Sequence, residues 1–232
     1  MRKPSELTIH VQAGNITGAA TTALVYAADQ RAAASLILAH GAGVGQHSAF
    51  MVDFAHALSD VDLDVVTFNF LYTEQKRRLP DRAPVLEDTY RAVIDAVRAQ
   101  IESARRALFI GGKSMGGRIA TQVAAADAAL PAAGLVLLGY PLHPPGQPEK
   151  RRDEHLPLVG RPMLFVQGSR DTFGTPDELA PILARVTPPP TMHVIEGGDH
   201  SFKLSRKSAV PQAEIYAGIQ QTIANWIRGR AR

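Results

Sequence analysis

Six short apolar runs recur along the chain, most of them ending at a glycine, a proline or a polar turn residue. Runs that are apolar on both faces are typical of central strands in a parallel sheet with helices on both sides. Buried helix segments can also be short and apolar, but the turn residues favour strands. The predicted strands are residues 34–40, 64–70, 107–112, 134–140, 162–168 and 191–197.

The rest of the chain shows other spacings of its apolar residues. Apolar residues recur every three or four positions over residues 86–101 and again over 215–227, which predicts two amphipathic helices. Near the N-terminus, apolar and polar residues alternate over 7–11, and a second strand-like run follows at 21–27. These two segments predict an antiparallel pair that leads into the sheet.

Strand alternating with helix over most of the chain predicts an α/β architecture. We expect a mostly parallel sheet of about eight strands with helices on both faces. No linker, internal repeat or low-complexity segment divides the sequence, so residues 1–232 are predicted to form one domain, which is long enough to bury a substantial core.

Composition narrows the function classes. The formal charge is only +3, and the basic clusters 76–78 and 150–152 are separate and adjoin acidic residues, so no nucleic-acid partner is expected. The chain has no cysteine, which excludes disulfides and cysteine nucleophiles. We see no signal peptide and no apolar run near the ~20 residues that span a bilayer, so a cytoplasmic protein without membrane contact is expected.

A serine lies among glycines between a predicted strand and a helix-forming segment. Residues 112–116 read Gly-Lys-Ser-Met-Gly, a Gly-x-Ser-x-Gly pattern in which glycines relieve crowding at a sharp turn that exposes the serine hydroxyl. A glycine-rich turn with a serine helix cap is the alternative. A phosphate-binding loop is disfavoured because its first glycine would fall at Ala107.

A serine nucleophile needs a base, and the base needs an orienting acid. Asp171 follows the penultimate predicted strand, and His200 follows the last one. With Ser114 they stand in the chain order Ser, Asp, His that this turn predicts. Asp199 is a rival acid, but neighbouring residues rarely orient their side chains as acid and base.

The segment His40–Gly43, "HGAG", directly follows the first parallel strand. An oxyanion hole combines the backbone N–H after the nucleophile with one from this loop. The predicted donors are the N–H groups of Met115 and Ala42, with Gly43 as the next choice for the second donor. A simple glycine turn is the alternative for this segment.

These motifs resemble the α/β-hydrolase superfamily over nearly the whole chain. "HGAG", "GKSMGG", "GSRD" and "GGDHSF" are similar to the dienelactone-hydrolase-like enzymes, and residues 68–98 resemble a bacterial group related to the testis-expressed and NSL-complex-subunit branch. The resemblance implies a hydrolytic triad of Ser114, Asp171 and His200 that uses no cofactor and no metal. Serine replaces the cysteine nucleophile of dienelactone hydrolase, so that enzyme's lactone specificity does not transfer.

The substrate pocket is predicted to be open. About twenty residues separate Tyr140 from Arg161, too few for a multi-helix lid, so a minimal cap or none is expected, with the 71–84 loop covering part of the site. Arg77, Arg78 and Arg82 of that loop could bind an acidic substrate or form ion pairs with Glu74, Asp81 or Glu87. Residues expected to form the pocket, unless they are ordinary packing, are Gly43, Phe70, Leu71, Tyr72, Leu142, Phe173 and Phe202.

The sequence as a whole predicts a serine hydrolase that cleaves an ester, thioester or lactone of a small acyl compound through an acyl-enzyme. One alternative is an acyltransferase that uses the same triad. Another is a non-enzymatic protein-interaction module on a hydrolase scaffold, because fold does not guarantee function. A monomer or homodimer is expected.

Overall fold

The computed structural model describes residues 2–14, 16–205 and 208–231, and in these residues eight strands form one sheet. The spatial order is β1-β2-β4-β3-β5-β6-β7-β8. Only the β1–β2 and β2–β4 pairs are antiparallel, and the other five are parallel. The prediction of a mostly parallel sheet of about eight strands is therefore confirmed. The strands are β1 Ser5–Ala13, β2 Ile16–Tyr26, β3 Ala34–Ala39, β4 Leu63–Phe68, β5 Leu108–Lys113, β6 Gly134–Leu138, β7 Met163–Gly168 and β8 Thr191–Ile195.

Helices cover both faces of the sheet. The side chains of β3 show why. Leu36 and Leu38 pack with the helices at 49–59 and 212–228, whereas Ile37 and Ala39 pack with those at 83–100 and 115–126 on the opposite face. Strand residues alternate between faces, so a strand that is apolar throughout must be covered twice. The helices are α1 Ala49–Ser59, α2 Leu71–Glu74, α3 Ala83–Gln100, α4 Glu102–Arg106, α5 Met115–Ala126, α6 Pro176–Leu183 and α7 Gln212–Arg228.

The two predicted amphipathic helices correspond to α3 and α7. Helix α3 begins at Ala83, before the predicted periodic segment, because Pro84 suits the first turn, where its missing N–H costs no helical hydrogen bond. Helix α7 begins directly after Pro211. The 71–84 segment differs from expectation, since it opens with the one-turn helix α2.

The strand order brings the candidate loops together. The chain passes from β3 to β4 on one side and then crosses to β5 on the other side of β3. Where the order reverses in this way, a crevice opens beyond the carboxyl ends of the strands, and ligands bind there. The loops after β3, β5, β7 and β8 all leave the sheet at this edge.

No cap domain covers this edge in the part of the chain that the structure describes. The connection between β6 and β7 contains only one turn of 3-10 helix, at Leu156–Leu158. Among the described helices, none combines the length and the apolar character needed to cross a lipid bilayer.

Candidate active site

Ser114 occupies a strained turn between β5 and α5. No residue other than the serine separates the strand from the helix, and its backbone has φ 52° and ψ −115°, a conformation that L-residues rarely adopt. A Cβ atom at Gly112 or Gly116 would overlap the carbonyl oxygen of Ala39 on the neighbouring strand. The two glycines therefore let β3 approach the turn that presents the serine hydroxyl.

This close packing predicts that one added methyl group at Gly116 will strongly reduce the stability of the fold. Because the Ala39 backbone cannot move aside as a side chain could, we expect Gly116→Ala to lower the free energy of unfolding by about 3 kcal/mol. Gly218→Ala in the exposed part of α7 meets no atom within 4 Å, so it should instead raise stability by about 0.5–1 kcal/mol. Urea unfolding measures both, and equal effects would contradict this account.

The three predicted triad residues lie in one chain of hydrogen bonds. The Ser114 Oγ lies 2.8 Å from His200 Nε2, and His200 Nδ1 lies 2.8 Å from Asp171 Oδ2. A carboxylate only accepts, so Nδ1 donates its proton to Asp171 and the neutral ring leaves Nε2 free to accept the serine proton. The arrangement can activate the hydroxyl as a nucleophile.

The Asp171 carboxylate is buried, and its surroundings fix its orientation. Its Oδ1 accepts the Phe173 backbone N–H at 2.8 Å, and its Oδ2 accepts the Gln167 side-chain amide at 2.9 Å. Asp199 has another task, because its carboxylate accepts the backbone N–H groups of Ser201 and Lys203 at 2.7 and 2.9 Å. Of the two rival acids, Asp171 is therefore the one that contacts the imidazole.

The Phe173 ring stacks on the imidazole of His200, with centroids 4.2 Å apart and an interplanar angle of 29°. Together with the bond to Asp171, this contact restricts rotation of the imidazole. The His200 side chain keeps about 20% exposure, so the imidazole stays accessible to a small molecule.

The two residues that carry the predicted oxyanion donors both lie near Ser114. Met115 is the first residue of α5, and Ala42 lines the same cavity as the serine. Among the turn, loop and cap hydrogen bonds of the described residues, neither of these N–H groups donates. Free backbone donors at a helix start suit a developing negative charge.

His40 is a buried anchor whose role the sequence motif did not reveal. Its Nδ1 donates to the Gly41 carbonyl at 2.8 Å, and its Nε2 accepts the Phe70 backbone N–H at 3.2 Å. Burial lowers the pKa of His40, which favours the neutral ring that this bonding requires. The side chain ties the segment His40–Gly43, which we call the oxyanion loop after its predicted role, to the end of β4.

A cavity of about 410 Å³ opens at Ser114, and we call it the serine cavity. Its apolar walls include Phe50 and Met51 from α1 and Tyr216 from α7, none of which the sequence analysis named. The residues that line it are Gly41, Ala42, Val44, Ser48, Phe50, Met51, Lys113, Ser114, Phe173, His200, Ser201, Lys203 and Tyr216.

The predicted pocket residues are mostly placed elsewhere. Phe173 lines the serine cavity, but Phe70, Leu71, Leu142 and Phe202 are buried in the core, so their assignment to the pocket was wrong. For Phe70 and Leu71 the physical reason is α2, which turns these apolar side chains back onto the sheet.

Two further pocket predictions need correction. Gly43 and Tyr72 line a different cavity, on the other side of the oxyanion loop. The 71–84 segment borders that second cavity and contributes no residue to the serine cavity, so its predicted role as a partial cover of the site was wrong.

Lys113, directly before Ser114 in the chain, holds the loop that carries His200. Its half-buried ammonium donates to the His200 carbonyl oxygen at 2.6 Å and lies 5.4 Å from the centroid of the Phe202 ring. Burial lowers the pKa of Lys113 to about 8, while the charges of Asp171 and Asp199 act in the opposite direction. Near neutral pH the Lys113 ammonium is thus a partly buried cation that lowers the free energy of unfolding.

This cost predicts a pH-dependent contribution to stability. An unfolded lysine keeps its proton up to about pH 10.5, so between pH 8 and 10.5 the unfolded chain binds more protons and stability rises with pH. We expect the free energy of unfolding of the wild type, relative to Lys113→Met, to increase by about 1–2 kcal/mol from pH 7.5 to 10. Urea titrations at each pH measure it, with the exposed Lys203→Met as matched control; a constant difference would contradict the prediction.

The described residues contain no group of three or more histidine, aspartate and glutamate side chains arranged to hold a metal ion. The polar groups at Ser114 are instead the hydrogen-bonded triad, the lysine ammonium and the free backbone donors. These groups can supply proton transfer and stabilise an anion.

Comparison with known proteins agrees with this fold. Over most of their lengths the chain is similar to a crystal structure described as a dienelactone hydrolase from Anabaena variabilis (17% identity, 100% of both chains, TM-score 0.76). It is also similar to one described as an α/β serine hydrolase without lid from Xanthomonas campestris (19% identity, 98% of this chain and 95% of that chain, TM-score 0.72). A third is the esterase domain of a Rhodothermus marinus protein (14% identity, 100% of both chains, TM-score 0.73). The family model described as alpha/beta hydrolase domain matches residues 32–228, so the chain belongs to the alpha/beta hydrolase family.

Proposed function

We propose that the protein is a serine hydrolase that cleaves an ester, thioester or lactone of a small acyl compound. The observation that carries this proposal is the unbroken hydrogen-bond chain from Ser114 through His200 to the buried Asp171. Membership of the alpha/beta hydrolase family and the likeness in fold to proteins described as esterases support it.

In the proposed reaction, His200 Nε2 takes the proton of Ser114 as the Oγ attacks the substrate carbonyl. Asp171 stabilises the imidazolium that forms, and the Ala42 and Met115 N–H groups receive the negative oxygen. The imidazolium then protonates the leaving group, which departs and leaves an acyl-serine. Water activated by His200 attacks this ester, and the free acid is released while Ser114 regains its proton.

The dimensions of the serine cavity support a small acyl group. At about 410 Å³ it lies at the lower end of the volumes usual for ligand pockets. Val44, Phe50 and Tyr216 supply apolar wall area on one side, and Phe173 supplies it beside the imidazole. A short aliphatic or aryl acyl group fits this combination of size and polarity.

We also propose the narrower relationship to the bacterial group that is related to the testis-expressed and NSL-complex-subunit branch. Its support is the aromatic end of β4 followed by the sequence Arg-Arg-x-Pro-Asp-Arg-x-Pro over residues 77–84, whose last two residues begin α3. Substrates in that group are largely undefined, so this relationship adds nothing to the substrate class.

Labelling with a fluorophosphonate tests the proposed function. The probe reacts with an activated serine, so the intact mass of the folded protein should increase by one adduct, and peptide mapping should place the adduct on Ser114. Incubation with p-nitrophenyl esters of different chain length should release the free acid, and transfer of the acyl group to added alcohol would indicate an acyltransferase. A folded protein that takes up no label would contradict the proposal.

A further inference from the structure

A second cavity, of about 530 Å³, lies on the other side of the oxyanion loop. We call it the basic cavity; it is lined by residues 43–45, Tyr72, Thr73 and residues 76–78. Val44 borders both this cavity and the serine cavity, and the residue is 46% exposed. The two cavities therefore share a border residue, and a substrate that extends from one into the other passes Val44.

Three consecutive cations, Lys76, Arg77 and Arg78, form one wall of the basic cavity. Arg77 pairs with the Asp81 carboxylate at 2.5 Å. Lys76 and Arg78 have no carboxylate within ion-pair distance in the described part of the chain. The wall thus keeps two cations that no protein anion compensates.

Of the three carboxylates that the sequence offered as ion-pair partners, Asp81 pairs with Arg77, and the other two have partners elsewhere. Glu74 accepts the Thr22 backbone N–H at 3.0 Å and the Asn69 side-chain amide at 3.2 Å. Glu87 pairs with Arg91 on α3 at 3.3 Å. Lys76 and Arg78 are therefore exposed cations without an ion-pair partner among the described residues, so an incoming anion would not have to displace a protein carboxylate from them.

The basic cavity is also lined by Tyr72, whose hydroxyl group is unsatisfied. Tyr72 is almost fully buried, and its hydroxyl has no hydrogen-bond partner of acceptable geometry among the described residues. Burial raises the pKa of Tyr72, although Thr73 and the Gly43 backbone lie close enough to act in the opposite direction. A buried hydroxyl without a partner costs free energy, which a ligand oxygen at this wall could recover.

We propose that the basic cavity is a subsite for a negatively charged substituent of the substrate, a carboxylate, sulfate or phosphate, while the substrate carbonyl lies at Ser114. The inference rests on the proposed function and adds the charge of the substrate to it. Arg78 and Lys76 would bind the anion, and Asp81 would oppose it less because Arg77 already neutralises that carboxylate. Guanidinium and ammonium groups bind such anions through charge-assisted hydrogen bonds.

Matched pairs of esters test this subsite and show which end of the substrate enters it. One pair places the charge on the acyl side, p-nitrophenyl valerate against mono-p-nitrophenyl glutarate. The other places it on the leaving group, phenyl butyrate against 4-carboxyphenyl butyrate. For the wild type, we expect the charged member of at least one pair to have the lower KM, and this preference should weaken as NaCl rises from 50 to 500 mM.

Two variants remove the proposed anion contacts, and a third is a matched control. Arg78→Met should raise the KM for the preferred charged ester roughly fivefold with kcat nearly unchanged, and Lys76→Met/Arg78→Met should raise it roughly 20-fold. Neutral esters should change less than twofold. Arg82→Met removes the same charge from an exposed position of the same loop outside the basic cavity, so it should leave the KM of both charged esters within twofold.

The possible outcomes distinguish a failure of the proposed subsite from a failure of the proposed hydrolase function. If neutral esters are cleaved but the KM of the charged esters responds equally to Arg78→Met and Arg82→Met, or to neither, the subsite is disproved while the hydrolase remains. If no ester is cleaved and Ser114 takes up no fluorophosphonate, the proposed function fails, and the substrate subsite fails with it.

Discussion

Replacement of Ser114 by alanine should lower kcat for a short p-nitrophenyl ester by about 10⁵- to 10⁶-fold and abolish fluorophosphonate labelling. In the proposed reaction the alanine lacks the atom that forms the acyl-enzyme, so the remaining catalysis is limited to what the proposed oxyanion donors provide to attack by water. The loss should appear in kcat more than in KM, because the cavity walls that bind the acyl group are unchanged.

Ser201 provides the matched control. It lies in the same cavity and on the loop that carries His200, but its side chain makes no hydrogen bond among the described residues to an acid or base of the triad. Ser201→Ala should keep labelling and keep kcat/KM within about threefold. If Ser114→Ala still takes up one equivalent of the probe, another residue is the nucleophile.

Asp171→Asn should lower kcat by about 10³- to 10⁴-fold while the protein stays folded. In one orientation, the asparagine amide turns its N–H₂ toward His200 and forces the ring into the tautomer that cannot accept the serine proton. In the other, its oxygen keeps the bonds from His200 and Gln167, but its N–H₂ then faces the Phe173 N–H, and the charge that stabilises the imidazolium is lost. The first orientation removes the base and the second weakens it.

The neighbouring acid separates this effect from a general loss of negative charge. Asp199→Asn keeps an oxygen that can accept the Ser201 and Lys203 backbone N–H groups, so kcat should stay within about twofold of the wild type. Thermal unfolding shows whether each variant is folded at the assay temperature. Comparable losses for the two asparagine variants would remove Asp171 from the proposed mechanism.

Most of the fold could be predicted because its signals are local. A strand such as β3 is apolar on both faces, and α3 repeats its apolar residues at the helical period, so each segment carries its own evidence. The order of Ser114, Asp171 and His200 could also be predicted, since each follows a strand and parallel strands end at one edge. That they act as a catalytic triad stays a prediction.

The walls of the site were harder to predict because they depend on how distant elements meet. Tyr216 lies on the terminal helix, and no local pattern indicates that this helix reaches Ser114. Phe70 was assigned to the pocket because it adjoins a strand end, but a single helical turn buries it. The bonds that link His40 to Phe70 and Gln167 to Tyr140 likewise join residues 30 and 27 positions apart, which no local pattern indicates.

The uncovered edge of the sheet has a consequence for the pace of catalysis. Enzymes with mobile lids often spend most of each cycle waiting for the lid to open, so product release limits their turnover. Within the described residues, this protein has no such element above Ser114, so diffusion alone can carry substrate in and product out. The slow event in each cycle should then be a covalent one, either acylation of the serine or attack of water on its ester.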